Sequence, residues 1–124
     1  MVQTNFDYLC AKYGQEILEY ERDKNSKNDE TVIQKSLGVL QEDGLFAFIL
    51  FLKALKDKSE LIRSSILKKT AKLLNETKLT ENADEKNIQE KILDITENMD
   101  DMFLAKDLIE KTLVYARYRA KAIK

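Results

Sequence analysis

Few residues of this 124-residue chain have the types and spacing that chemistry requires. Ser65 and Lys68 form an S-x-x-K pair, the spacing in which a lysine activates a serine nucleophile. Both fall on the expected outward side of an amphipathic helix, where a solvated lysine stays protonated, and the companion sequences SDN and KTG are absent. Carboxylates stand close together at Glu16 and Glu19, at Asp94 and Glu97, and at Asp100 and Asp101. A metal site in a helical bundle draws on Glu-x-x-His pairs, and the chain has no histidine, so caps and solvated faces account for these acids. The single cysteine, Cys10, permits no disulfide, no Cys/His dyad and no Cys/His zinc site; within an apolar stripe it reads as a small core residue. Gly14, Gly38 and Gly44 are too scattered for a phosphate-binding loop. The expectation is a protein without catalytic residues, metal or cofactor.

Charge carries the remaining chemistry. The net value of −1 hides segregation: Lys53 to Lys72 holds seven basic and two acidic residues, and Lys111 to Lys124 five basic and none acidic. The compensating acids lie between Glu76 and Asp101, nine against three, and before Lys53, nine against five. On helical wheels Lys68, Lys69 and Lys72 point outward from one helix, and Arg117, Tyr118, Lys121 and Lys124 from another, with Lys111 close by. Arg63 and Arg119 fall in apolar sectors, where they snorkel or pair. An aromatic among cations is the arrangement that holds single-stranded nucleic acid, charges following phosphates while the ring stacks on a base. Cations in the last turns of a helix also complement its dipole, and a basic helical face is often only solvated. Both readings stay open. Phe103 and Val114, outward on the same terminal helix, suggest a third: a surface that binds a protein partner.

The elements that position these residues are helices. With no proline and three glycines, and with Leu, Lys, Glu, Ile and Ala dominant, the fold class is all-α, a compact bundle of about six helices in one domain. Phe6, Leu9, Cys10, Tyr13, Ile17 and Tyr20 share a stripe, which predicts a helix from about residue 4 to 22. The polar run RDKNSKN, residues 22–28, is a solvated connection, and Asn28 or Asp29 caps a second helix with Ile33, Ser36, Leu37 and Leu40 on one face and Gly44 at its end. From Leu45 to Leu52 every residue is apolar, which predicts a central helix surrounded by the others. Ser59 caps a fourth helix reaching about Asn75, with Ile62, Ile66, Thr70, Leu73 and Leu74 inward. Residues 75–86 are polar and expected to be mobile. Ile88, Ile92, Ile95 and Met99 mark a fifth helix. A sixth starts near Asp100 or Asp101 and turns Met102, Ala105, Leu108, Ile109, Leu113, Ala116, Ala120 and Ile123 inward. The longest apolar run is eight residues, against roughly 20 for a membrane-spanning helix. The first ten residues show no secretory pattern, so the expected location is the cytoplasm.

Two segments resemble a known family. VIQKSLGVLQEDGLFAFILFLKAL, from Val32 to Leu55, is a helix closed by Gly-Leu and followed by a very apolar, aromatic helix. MDDMFLAKDLIEKTLVYARYRAKAIK, from Met99 to Lys124, opens on acids and ends in a basic, aromatic YARYRAKA. Their order and spacing are similar to those of the small helical subunit of type III-B CRISPR effector complexes, the Cmr or RAMP-module small-subunit family; a related helical subunit serves the sister Csm complexes. The resemblance implies a non-catalytic bundle in antiviral defence. Its copies stack beside the filament that carries the guide RNA and help to line the channel for target RNA. Only Tyr115, Arg117, Tyr118, Arg119 and Lys121 align with the family's terminal pattern. Many members carry tryptophan near the position of Tyr115, and the order of basic and aromatic residues differs here. The partners implied are other subunits, further copies of the chain and single-stranded RNA, with no membrane and no small-molecule substrate.

Overall fold

The computed structural model describes residues 5–19 and 26–123. Six helices follow one another: α1 (Phe6–Glu16), α2 (Ser26–Asp43), α3 (Leu45–Ala54), α4 (Glu60–Glu76), α5 (Ile88–Ile95) and α6 (Met99–Ala122). A short 3-10 turn, Asp57–Ser59, leads into α4, and no strand occurs among the described residues. Side chains from all six helices meet in one buried apolar cluster.

The helix α6 is the hub, flanked by α1 on one side and α2 on the other. Its inward residues include Ala105, Ala116 and Ala120, all essentially buried, and small side chains let neighbouring backbones approach. At the crossing with α1 the small residue is Gly14. A Cβ built there would lie 2.7 Å from the Thr112 carbonyl oxygen and 2.8 Å from the Tyr115 Cβ. Here glycine is required by contact, not by backbone angle. Gly44 is different: its φ of 96° turns the chain between α2 and α3, in the left-handed region that glycine enters without strain.

Asn98 ends the turn before α6 and accepts a hydrogen bond from the Asp101 amide at 3.0 Å. Asp100 and Asp101 occupy the first turn, where a carboxylate suits the positive end of the helix dipole.

Several expectations need correction. The apolar helix α3 is not enclosed: Phe48, Ile49 and Leu52 are fully buried, Phe46 and Phe51 only partly, and Leu50 is 44% exposed. Its burial against α2 and α5 leaves one side open. The first helix ends at Glu16, with Ile17 and Leu18 still buried beyond it; Tyr20 lies outside the described residues, as do residues 20–25 of the expected connection. α2 begins at Ser26, before the expected cap. Met99 opens α6 and is 67% exposed, and Ile123 is 38% exposed; both sit at helix ends beyond the reach of the core.

The segment after α4, expected to be mobile, is held by side-chain amides. Asn75 Nδ2 donates to the Ala83 carbonyl and Asn75 Oδ1 accepts from the Ala83 amide, both at 2.9 Å. Asp84 Oδ1 accepts from the amides of Lys86 and Asn87 at 2.8 Å, and Asn87 Nδ2 donates to the Asn82 carbonyl. Polar composition here encodes a series of turns, with Lys78 and Asn82 in the left-handed region.

Candidate nucleic-acid interface

The amphipathic arc of α4 buries Ile62, Ile66, Thr70, Leu73 and Leu74 as the spacing predicts. Lys68 is therefore outward. Lys69 is half-buried and its ammonium lies 3.3 Å from Glu16 of α1. Lys72 lines an open cleft with Lys12, Tyr13, Glu16, Asn75 and Glu76. Lys68, Lys69 and Lys72 also border a groove of about 410 Å³ against residues 83–86, where Lys86 adds a fourth cation and Asp84 and Glu85 two acids. Lys68 comes within 4.0 Å of Glu85.

Ser65 is not outward. It is buried, and its hydroxyl donates to the Ile17 carbonyl at 2.6 Å, an acceptor that the end of α1 leaves without a helical partner. Ser65 thus anchors α1 to α4 and is unavailable as a nucleophile. Arg63 does snorkel, donating from Nη1 to the Leu55 carbonyl at 3.0 Å.

On α6 the outward residues run from Phe103, 53% exposed, to Tyr118, 66% exposed, and Lys121. Val114 is half-buried and packs against the edge of the core. Arg117 is half-buried with its Nε covered and without a hydrogen-bond partner. Lys111 is exposed but engaged: its ammonium is 2.8 Å from Asp7 Oδ1, which also accepts the Tyr115 hydroxyl at 2.7 Å. These contacts hold the Asp7 carboxyl below its ordinary range, the Lys111 hydrogen bond contributing most and Tyr115 next. The same bond to Asp7 raises Lys111 and Tyr115 above theirs. Arg119, from the apolar sector, reaches Glu19 Oε2 at 3.1 Å and Gln15 Oε1 at 3.4 Å.

Two clusters of cations therefore flank α1. Glu16 and Glu19 stand one turn apart at its C-terminal end, and Lys69 of α4 and Arg119 of α6 each reach one of them. Between them the end of α1 forms a ridge that carries these two carboxylates and Lys12. Among the described residues, Lys72, Arg117 and Lys121 have no ion-pair partner. Lys124 lies outside the described residues.

Asp7, Ala11, Gln15 and Glu16 of α1, with Glu19 just past its end, shape this surface; spacing singles out Glu16 and Glu19 only as neighbouring carboxylates and gives no sign of their partners. Their partners are some 50 to 110 positions away in the chain, and no local pattern announces such pairing.

Cys10 is fully buried, its Sγ donating to the Leu108 carbonyl at 3.3 Å, and burial is the main cause raising its thiol pKa. Tyr13, raised chiefly by burial and then by Glu76, which accepts its hydroxyl hydrogen bond, ties α1 to the end of α4. No group of three or more acidic or cysteine side chains able to hold a metal occurs among the described residues, and none of their helices is long and apolar enough to cross a membrane. No known protein family, curated protein or solved structure matches the chain.

Proposed function

We propose that this chain is a non-catalytic, cytoplasmic subunit of an RNA-guided type III-B CRISPR effector of the Cmr kind, stacking with other subunits and bordering the path of single-stranded RNA. The observation that carries this reading is Tyr118: a 66% exposed ring on the last turns of α6, with the unpaired cations Arg117 and Lys121 on either side in sequence. An exposed ring among cations gives one surface both stacking and phosphate attraction. The likeness of the Val32–Leu55 and Met99–Lys124 segments to the family's small subunit supplies the larger assembly.

The test is RNA affinity of the assembled complex as a function of salt. Lys72→Ala, Arg117→Ala and Lys121→Ala are each expected to weaken binding and flatten the salt dependence, because each phosphate contact contributes about 0.7 to the logarithmic slope on single strands. Unchanged affinity and slope for all three would remove the RNA role.

A protein-interaction adaptor without nucleic-acid contact is the second reading, favoured by Met99 and Phe103, exposed by 67% and 53% and one turn apart on α6. If Phe103→Ala blocks incorporation into a complex while the cation substitutions leave RNA affinity unchanged, the adaptor reading replaces the first.

A further inference from the structure

We infer that the junction of α1 with the end of α6 is a stacking slot for one unpaired nucleobase, entered from the open side and closed at the back by α1. The inference rests on the RNA reading and deepens it, because it divides the surface into a place for a base and places for phosphates.

A cleft of about 460 Å³ at this junction is lined by Ala11, Gln15, Tyr115, Tyr118 and Arg119. Its size falls within the range of ligand pockets, about 300–1,000 Å³, but it is open along one side, which suits a base that remains attached to a strand. Three features make it a receptor for a flat aromatic group. Tyr118 is 66% exposed, which leaves its ring accessible to a base. Tyr115, one turn earlier, donates its hydroxyl to Asp7 at 2.7 Å, a bond that orients it as one wall of the cleft. Ala11, on α1, supplies a floor whose short side chain leaves that space open; most larger residues there would close it.

The polar groups are placed to read or hold what enters. Gln15 is exposed and accepts weakly from Arg119 through Oε1, which leaves its amide N–H groups for acceptors on a base edge. Arg119 is held at the cleft by Glu19 at 3.1 Å, so it offers a guanidinium plane for stacking more than a free charge for phosphate. A neighbouring phosphate falls to Lys121, one turn after Tyr118, whereas Lys111, two turns before it, is engaged by Asp7 at 2.8 Å.

The test uses the full chain and two probes of equal length and charge, a short oligoadenylate and the corresponding ribose-phosphate oligomer without bases. Binding is followed by backbone amide shifts at millimolar probe concentrations, which detects weak complexes. Oligoadenylate is expected to bind more tightly than the abasic oligomer and to shift the amides of Ala11, Gln15 and Tyr118. Tyr118→Ala is expected to weaken oligoadenylate by about 5- to 150-fold, the loss of one base–aromatic stack, while leaving the abasic oligomer unchanged; Tyr118→Phe restores binding. Ala11→Leu, which removes no charge and no ring, should abolish the preference for the probe with bases. Equal affinity for the two probes, unchanged by Tyr118→Ala, would overturn the slot while leaving an RNA surface built on cations alone. Absence of any shift with either probe would overturn the slot as well, and unchanged RNA affinity and salt slope of the assembled complex on Lys72→Ala, Arg117→Ala and Lys121→Ala would independently remove the RNA reading.

Discussion

The closeness of α1 and α6 at Gly14 sets up a substitution with a calculable outcome. Relieving a 2.7 Å approach between a new Cβ and the Thr112 carbonyl to an ordinary 3.4 Å separates the helices by about 0.7 Å, because both atoms that it meets first, Thr112 O and Tyr115 Cβ, are fixed by the α6 backbone. A gap of that size forfeits roughly a quarter to a half of the dispersion attraction along the seam, where Leu9, Cys10, Tyr13, Leu108 and Leu113 are buried. Overpacking of this kind costs about 1–3 kcal/mol, against a gain of about 1 kcal/mol in helix propensity on replacing glycine by alanine. Gly14→Ala should therefore lose the gain in helix propensity and destabilise by up to roughly 2 kcal/mol. Gly38 is the internal control: a Cβ there meets nothing within 4 Å, so Gly38→Ala in α2 should stabilise by about 0.5–1 kcal/mol. Urea denaturation with an unchanged m-value reads both, and the melting temperatures should move in opposite directions, by roughly 3–4 °C per kcal/mol. If Gly14→Ala stabilises as Gly38→Ala does, α1 does not cross α6 at Gly14.

Three further outcomes follow from the core and the charges. Phe48→Ala, at a fully buried position, should cost about 3–5 kcal/mol, whereas Phe103→Ala should leave the denaturation midpoint unchanged. Cys10 should react with a thiol reagent only as fast as the chain opens, since its sulfur is buried and its thiol is disfavoured as thiolate by that burial; rapid modification of the folded chain would refute its placement. The Asp7–Lys111–Tyr115 contact has a defined pH window. Asp7 is lowered, so its contribution is complete above the ordinary carboxylate range near about 3.9 and fades as pH falls through the lower folded value; Lys111 and Tyr115 are raised, so theirs is complete below about 10 and fades as pH climbs past their folded values. Asp7→Asn should remove the acid limb, read from the Tyr115 ring resonances during titration.

What could be read from the chain divides along a physical line. The helix class and most core faces were legible because apolar residues at helical spacing report on one element at a time: α4 buries the predicted set, and so does most of α6. Which helix lies at the centre was not legible. Eight consecutive apolar residues made α3 look enclosed, yet centrality belongs to α6, where Ala105, Ala116 and Ala120, with Gly14 opposite, allow neighbours to come close on two sides. Hydrophobicity marks what is driven inward, while small residues mark where helices converge. Ser65 illustrates a second limit: its hydroxyl is inward because the end of α1 supplies an unmatched carbonyl, and that carbonyl is 48 positions away. Helical wheels turn the cations outward, yet Lys69 and Arg117 are half-buried, and the carboxylates that Lys68, Lys69 and Lys111 meet, Glu85, Glu16 and Asp7, lie in other elements; pairing between distant elements leaves no periodic trace.

That pairing changes the expected strength of the RNA surface in a measurable way. Six cations were selected at the sequence level: Lys68, Lys69, Lys72, Lys111, Arg117 and Lys121. Had all six met phosphate, the salt slope would be about 4. Lys68, Lys69 and Lys111 already face Glu85, Glu16 and Asp7, and a cation that leaves a carboxylate to meet a phosphate frees an acid that gathers its own counterion. The net release then comes from Lys72, Arg117 and Lys121, which sets the slope near about 2. The ridge on α1 offers the sharper test. Glu16→Gln and Glu19→Gln each remove a negative charge between the two clusters and release Lys69 and Arg119, so each should tighten RNA binding by the assembled complex and steepen its salt dependence. A strand that follows only one cluster would not register both changes. If one substitution acts and the other does not, RNA lies on that side of α1 alone; if neither acts, the two clusters do not form a common path.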